Sequence, residues 1–523
     1  MNLFILFTLF MSSVEAYKVL LIYSLPARSI GILGEGHLRN LIDSGHEVTY
    51  ITVYPLKNHK YGNKLQQIDV SDNVKSLPDN GIMDIGAIMH NGVPMNDVGT
   101  LQEISVHNAI LTFENENVRK LINDPNVRFD VVISDLYETE VYAAFAALYN
   151  CPMIWSYSMG AQSSVLQLID QPTNPAYTVD YLSSNTLPLS FQQRVEELWA
   201  SIKWNVMKRF FLIPKEEAAY EKYFGPVLAK RGRRLPNYKE LIYNASLIFG
   251  NEHHAVGNLP STPQNFKFIG GYHIESPAKP LPKELQTLMD NAKDGVIYFS
   301  MGSIWQSKDI PNDVTEGLLK VFGELKQTVI WKYEANLQNL PKNVHILKWA
   351  PQQSILAHPN CLVFISHGGL LSSTEAIHFG VPTIGVPIFA DQFLNVNRAV
   401  TKGYAIYVPL TINLPRDLKP AIETMLSDSG YRRKAWELSK IYHDRPVSPG
   451  AEVVHWVEHV IRTGGAPHLR SPALHVPFYQ KFYLDLAAVL IVSFYILILA
   501  IKSIFCKSFK TKQRSDSKKT KRN

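Results

Sequence analysis

The chain has 523 residues, 46% hydrophobic and 19% charged, which excludes a disordered or fibrous protein and is too long for one compact core. Its formal net charge of +6 sits largely in the last residues, where Lys507, Lys510, Lys512, Arg514, Lys518, Lys519, Lys521 and Arg522 face the single acid Asp516. Without that tail the body is close to neutral, which argues against a nucleic-acid partner, and Cys151, Cys361 and Cys506 form no zinc-like spacing with histidine, so no metal centre is expected.

Residues 1–16, MNLFILFTLFMSSVEA, read as a signal peptide, an apolar run followed by small residues with Val14 and Ala16 placed for cleavage. The run lacks a basic n-region, and an uncleaved anchor is the alternative, for which it is short. A strand over Lys18–Tyr23, a helix from Ile32 to Asp43 with Gly45 at its C′ position, and the strand EVTYITVY make a βαβ opening. His37 falls on the surface of that helix, and His46 belongs to the following turn. FDVVISD (Phe129–Asp135) is a buried strand ending in an acid, VYAAFAALYN a helix and CPMIWSYS the next strand. From Pro172 to Leu235 the alternation stops; this aromatic, charged stretch has helical spacing around Phe191–Phe211 and reads as an insertion. Asn244-Ala245-Ser246 is a glycosylation sequon. HIESPAKPLPKEL, with three prolines, is a linker, and a second series follows it: GVIYFSMGS, TVIWKYE, VHILKWAPQ and CLVFISHGG. Two such series predict an α/β protein of two doubly wound domains facing a cleft, with ligands outside the carboxyl ends of the strands. The boundaries are 17–269 and 270–449, then a crossing helix and juxtamembrane segment over 450–483. Residues 484–505 are apolar and long enough to span a bilayer, and the basic tail 506–523 makes the anchor single-pass type I, with a lumenal or extracellular body. Lys519 and Lys521 are placed like a dilysine endoplasmic-reticulum retrieval signal; a plain charged tail is the alternative.

The most informative stretch is Trp349 to Gln392. The strand LVFIS ends in His367-Gly368-Gly369, whose glycines let backbone N–H groups approach a ligand. Ser372 and Ser373 open a helix whose N-terminus suits a diphosphate. Gly380 and Pro382 stop it, and the strand TIGVP leads to Asp391-Gln392. Taken alone, Trp349 reads as a core residue and Asp391 as a turn residue.

This long, spaced pattern resembles the signature of the UDP-glycosyltransferases, the superfamily of animal glucuronosyl- and glucosyltransferases and plant glucosyltransferases. The resemblance runs over nearly the whole chain and implies the GT-B architecture, an N-terminal acceptor domain and a C-terminal UDP-sugar domain. It implies that Trp349 stacks on uracil, that Gln352 contacts the ribose, and that His367, the Gly369 amide and Ser372 bind the diphosphate. It further implies that Glu375 binds the ribose hydroxyls, that Asp391 and Gln392 hold the sugar, and that the turn Ser300–Ser303 approaches the phosphates. No Asp-x-Asp pair occurs, in keeping with transfer that needs neither metal nor cofactor.

The pattern breaks at one position. Inverting members carry a general-base histidine in the loop after the first strand, oriented by an aspartate. Asp135 matches the aspartate, but Ile30 stands where the histidine belongs. Positioned general-base catalysis contributes about 10²–10⁴ in rate. Two readings stay open: an inverting hexosyltransferase, with glucose the expected sugar, acting on small lipophilic acceptors that need little base help or using Asp135 itself; or a UDP-sugar-binding regulatory partner of related transferases, in homo- or hetero-oligomers.

Overall fold

Runs of apolar, largely β-branched residues buried on both faces form the strands of two parallel sheets, as parallel sheets covered by helices require. The computed structural model describes residues 16–77, 85–91, 98–169, 173–257, 261–303 and 309–519; nearly all of the apolar leader and the last four residues lie outside them. The first sheet comprises β1 (Lys18–Tyr23), β2 (Glu47–Thr52), β3 (Leu65–Asp69), β4 (Val131–Asp135), β5 (Met153–Tyr157), β6 (Leu247–Gly250) and β7 (Phe266–Phe268), in the order β3-β2-β1-β4-β5-β6-β7. The second comprises β8 (Val296–Ser300), β9 (Thr328–Lys332), β10 (Val344–Leu347), β11 (Cys361–Ser366), β12 (Thr383–Gly385) and β13 (Ala405–Tyr407), in the order β10-β9-β8-β11-β12-β13. Strand order reverses between β1 and β4 and between β8 and β11, the positions where doubly wound sheets bind ligands. The register Ser300↔Ser366 sets the turns after β8 and β11 side by side, and Ile22↔Ser134 does the same for the ends of β1 and β4.

The first helix runs Arg28–Asp43, beginning four residues before the expected Ile32. Ile30 therefore lies in its first turn, buried in a cluster with Tyr23, Leu33, Tyr50, Phe249 and Tyr272. His37 corrects the sequence reading: it is fully buried, not on the helix surface. Its Nε2 lies 2.9 Å from Ser156 Oγ, its ring packs on Tyr272, and burial holds its pKa down at about 3. The helix periodicity was compatible with either face; the apolar sheet behind it decides. His46 is also buried, 3.3 Å from Glu458.

Two segments join the sheet that is distant in sequence. Ile85 and Met89, from helix Ile85–Asn91, enter the core of the second sheet, and Val453, Val457 and Val460, from helix Pro449–Arg462, enter that of the first. Within the second half Tyr442 OH donates to the Gly270 carbonyl at 3.2 Å, and between the halves Asn40 Nδ2 donates to the Tyr272 carbonyl at 3.0 Å. Arg398 Nη1 pairs with Glu252 Oε1 at 2.8 Å. Residues 471–523 form a separate unit; its helix Leu484–Lys519 is apolar over Leu484–Lys507, with no part of that apolar stretch buried.

Glu252 is buried, and desolvation raises its pKa even with Arg398 beside it. Arg398→Met leaves a buried, uncompensated carboxylate and is expected to destabilise the body by about 3–5 kcal/mol. Protonation relieves that charge, so thermal unfolding of the variant against wild type should show a larger loss at pH 8 than at pH 5. An equal loss at both would assign the effect to packing.

Candidate functional site

The donor side is built at the carboxyl ends of β8, β9 and β11. Gly302, at φ +86, is in the region glycine occupies freely, and a Cβ there would meet the His367 ring at 2.7 Å. A Cβ at Gly369 would meet the same ring, 2.6 Å from Nε2. The two glycines thus make a slot for the imidazole. Desolvation, with the Lys332 charge adding to it, lowers the His367 pKa to about 4, so the ring is neutral. Its Nδ1 is buried with no hydrogen-bond partner among the described residues. Ser303 is half-buried at the turn beyond Gly302.

Helix Leu370–Phe379 starts directly after Gly369, two residues before the expected Ser372, and ends in Gly380 at φ +67. Ser372 and Glu375 are buried on its first turns. Gln352 Nε2 donates to Ser372 Oγ at 3.1 Å and to Glu375 Oε2 at 2.6 Å, while Tyr298 OH donates to Gln352 Oε1 at 3.2 Å. Gln353 Nε2 donates to Glu375 Oε1 at 2.9 Å, and His273 Nε2 lies 3.5 Å from the same oxygen. The structure therefore joins Gln352, Ser372 and Glu375 in one network and adds Tyr298, Gln353 and His273, which the sequence reading did not single out. Glu375 already accepts two amide N–H groups, so a ligand hydroxyl would use its remaining lone pairs.

Trp349, assigned to the donor site by the resemblance, is 57% exposed, which excludes the alternative of a core residue. Lys332 Nζ stands 5.7 Å from its ring and the Arg28 guanidinium, from the other half, 6.0 Å. It is an aromatic platform between two cations at the mouth of the cleft. Lys332 was also missed; buried at the end of β9, it donates to the Gly302 carbonyl at 2.8 Å. A lysine closing a buried strand, TVIWK, was the available signal. Asp391 accepts from Asn395 Nδ2 at 2.8 Å and from the Leu370 amide, with burial raising its pKa to about 6. Gln392 is buried, its Oε1 taken by the Ile388 and Phe389 amides at 2.9 and 3.2 Å, so this end of the side chain holds the loop.

Asp135 comes from the first sheet, at the end of β4, in a cavity it shares with Ser24, Ser105, Asn108, Thr139 and Tyr142. Ser24 Oγ and Tyr142 OH are 2.6 Å apart, and Asn108 Nδ2 donates to Ser24 Oγ at 3.2 Å. Asp135 Oδ1 is buried with no partner among the described residues, and desolvation raises its pKa to about 8. A second depression, lined by residues that include Gln162, Asp180, Glu197 and Trp204, contains none of the predicted site residues.

Two doubly wound parallel sheets of this order define the GT-B fold. Solved structures agree on that fold: the calicheamicin glycosyltransferase CalG4 (TM-score 0.56, 17% identity, 86% of this chain and 99% of that chain) and a UDP-glucosyltransferase from Polygonum tinctorium (0.54, 15%, 86% and 99%). The family model described as UDP-glucoronosyl and UDP-glucosyl transferase matches residues 37–521, and the chain belongs to that family. It is 32% identical to UDP-glucosyltransferase 2 of Dactylopius coccus, over 99% of this chain and 98% of that protein. It is 31% identical to UDP-glucuronosyltransferase 2B1 of Rattus norvegicus, over 70% and 67% respectively. The protein is accordingly a UDP-glycosyltransferase.

The slot gives a direct test. Gly302→Ala forces a strained backbone, at about 1–2 kcal/mol, and displaces His367. UDP affinity measured by calorimetry should fall about tenfold or more. Unchanged affinity would remove His367 and this turn from the donor site.

Proposed function

We propose that this protein transfers glucose from UDP-glucose to a small lipophilic acceptor, such as an acidic phenol, with inversion and with Asp135 as general base. The observation that carries the reading is the unpartnered, buried Asp135 Oδ1 in a cavity of its own. The acceptor hydroxyl would lie against Asp135, with Ser24 and Asn108 beside it. As its oxygen bonds to the anomeric carbon, its proton passes to Asp135 and the bond from that carbon to the diphosphate oxygen breaks on the opposite face. The leaving UDP carries the released charge, which the Gly369–Leu370 helix start and Lys332 would stabilise without a metal ion. His367, being neutral, would serve as a hydrogen-bonding group rather than a cation. Trp349 would stack on uracil, Gln352, Ser372 and Glu375 would hold the ribose and diphosphate, and Asp391 would take the sugar hydroxyls.

Glucose is favoured over glucuronate by the similarity to the glucosyltransferase of Dactylopius coccus across the full length of both chains. We place the protein in the endoplasmic-reticulum membrane with its body lumenal, on the strength of the apolar helix Leu484–Lys507 and the basic residues beyond it. The domain division supported by the two sheets is 17–269 for the acceptor and 270–449 for the donor.

The base must be ionised to work. With a free-enzyme pKa of about 8, kcat/KM should rise with pH and level off above that value. Asp135→Asn should abolish the rise and cost about 10²–10⁴ in rate while UDP still binds. Ile30→His should move the inflection down toward the histidine range. Full activity of Asp135→Asn would sink the assignment, and a wild type that binds UDP yet stays silent beside an active Ile30→His would make the chain a binding partner.

A further inference from the structure

The two cations beside Trp349 are not equally committed. Lys332 is used within its own half, donating to the Gly302 carbonyl at 2.8 Å and pairing with Glu334. Arg28 reaches the cleft from the other half, at the first turn of helix Arg28–Asp43. Glu35, further along the same helix, accepts from its Nη1 at 2.6 Å, and the guanidinium carbon stands 5.3 Å from the centre of the Tyr54 ring. Gly31 leaves room for both: a Cβ there would meet Tyr54 Cδ2 at 2.6 Å and Arg28 Nη1 at 3.4 Å. Arg28 is thus braced by a carboxylate and a phenol ring, with 30% of its side chain open to solvent.

The same guanidinium carbon lies over the Trp349 ring, 6.0 Å from its centre. Stacked directly on the indole it would stand about 3.5–4 Å above the ring. At 6.0 Å the pair is at the outer limit of a cation–π contact and gains little by itself. A flat base inserted between the two needs two van der Waals spacings, about 7 Å, so the gap is about 1 Å short of admitting one. A partly exposed arginine on a flexible stem can yield that distance. We infer that Arg28 covers the outer face of the uracil, so that the base is sandwiched between an indole from the donor half and a guanidinium from the acceptor half. The inference rests on the reading of Trp349 as the uracil platform proposed above. A planar, weakly hydrated guanidinium stacks on aromatic faces, which the compact ammonium of lysine does not. Bound nucleotide then touches both halves, and helix Arg28–Asp43, which carries Ile30, contributes to the donor site as well as to the acceptor side.

The test is calorimetry on the full-length protein with two ligands, UDP and dihydro-UDP. Saturating the uracil double bond keeps the carbonyls, the N–H and the diphosphate but removes the aromatic face. Arg28→Met is expected to raise the Kd for UDP about threefold to thirtyfold, and the Kd for dihydro-UDP by a clearly smaller factor. Arg28→Lys keeps the charge and is expected to recover only part of the UDP affinity. Thermal unfolding confirms the fold of each variant, and if Arg28→Met does not fold, Arg28→Lys carries the same comparison of ligands. Trp349→Ala tests the underlying reading. Weaker UDP binding by Trp349→Ala beside unchanged binding by Arg28→Met would overturn the sandwich and leave the platform standing. Unchanged binding by Trp349→Ala would overturn the platform and the sandwich with it. Equal losses for UDP and dihydro-UDP in Arg28→Met, with full recovery in Arg28→Lys, would assign Arg28 to the diphosphate charge and overturn the stacking.

Discussion

The turns after β8 and β11 are organised around the room that two glycines leave for one imidazole. Gly302 and Gly369 come from turns that follow adjacent strands, and the register Ser300↔Ser366 brings those turns level. A side chain at either position would collide with His367. Once the ring is seated, helix Leu370–Phe379 must begin immediately after it, with its unpaired N–H groups at the mouth of the slot. Lys332 closes the other side, bonded to the Gly302 carbonyl. Steric fit therefore fixes where positive potential accumulates, and the ring itself contributes no charge because desolvation keeps it neutral.

The β11 part of that arrangement was legible in the sequence because it is local, whereas Lys332 at the end of β9 was not. Strand, glycine turn and helix start lie within a dozen residues, and each has its own signature: the buried run CLVFIS, the glycine pair, and the stop at Gly380. The same holds for the strands, whose apolar runs and short turns predict a doubly wound α/β fold without knowledge of long-range contacts. The helix start at Arg28 was harder, because Ala27 makes no side-chain cap and Pro26 precedes it, so no capping residue announces the boundary.

What the sequence did not disclose depends on which distant surface covers a residue. Trp349 and His37 have opposite fates for that reason. Trp349 follows a strand whose outer neighbour is missing, since β10 is the edge of its sheet, and it stays open. His37 lies on the side of its helix that meets Ser156 and Tyr272, one from β5 and one from the segment after β7. The contact of His273 with Glu375 likewise joins residues far apart in the chain, and no pattern along the chain encodes it.

Residue 30 lies where the two halves meet. Ile30 packs in the first-sheet cluster, and Leu371, from the start of the donor helix, packs against that same cluster. An isoleucine here strengthens the apolar seam on which the halves meet, where an imidazole would bring polar atoms needing partners. Asp135 lacks a partner for one oxygen among the described residues and is pushed by burial toward its neutral form. A carboxyl held near neutrality costs little to bury around pH 7, and when ionised it is a stronger base than an exposed aspartate. The same low-dielectric surroundings that make Asp135 expensive to charge therefore make it competent to take a proton from an acidic hydroxyl.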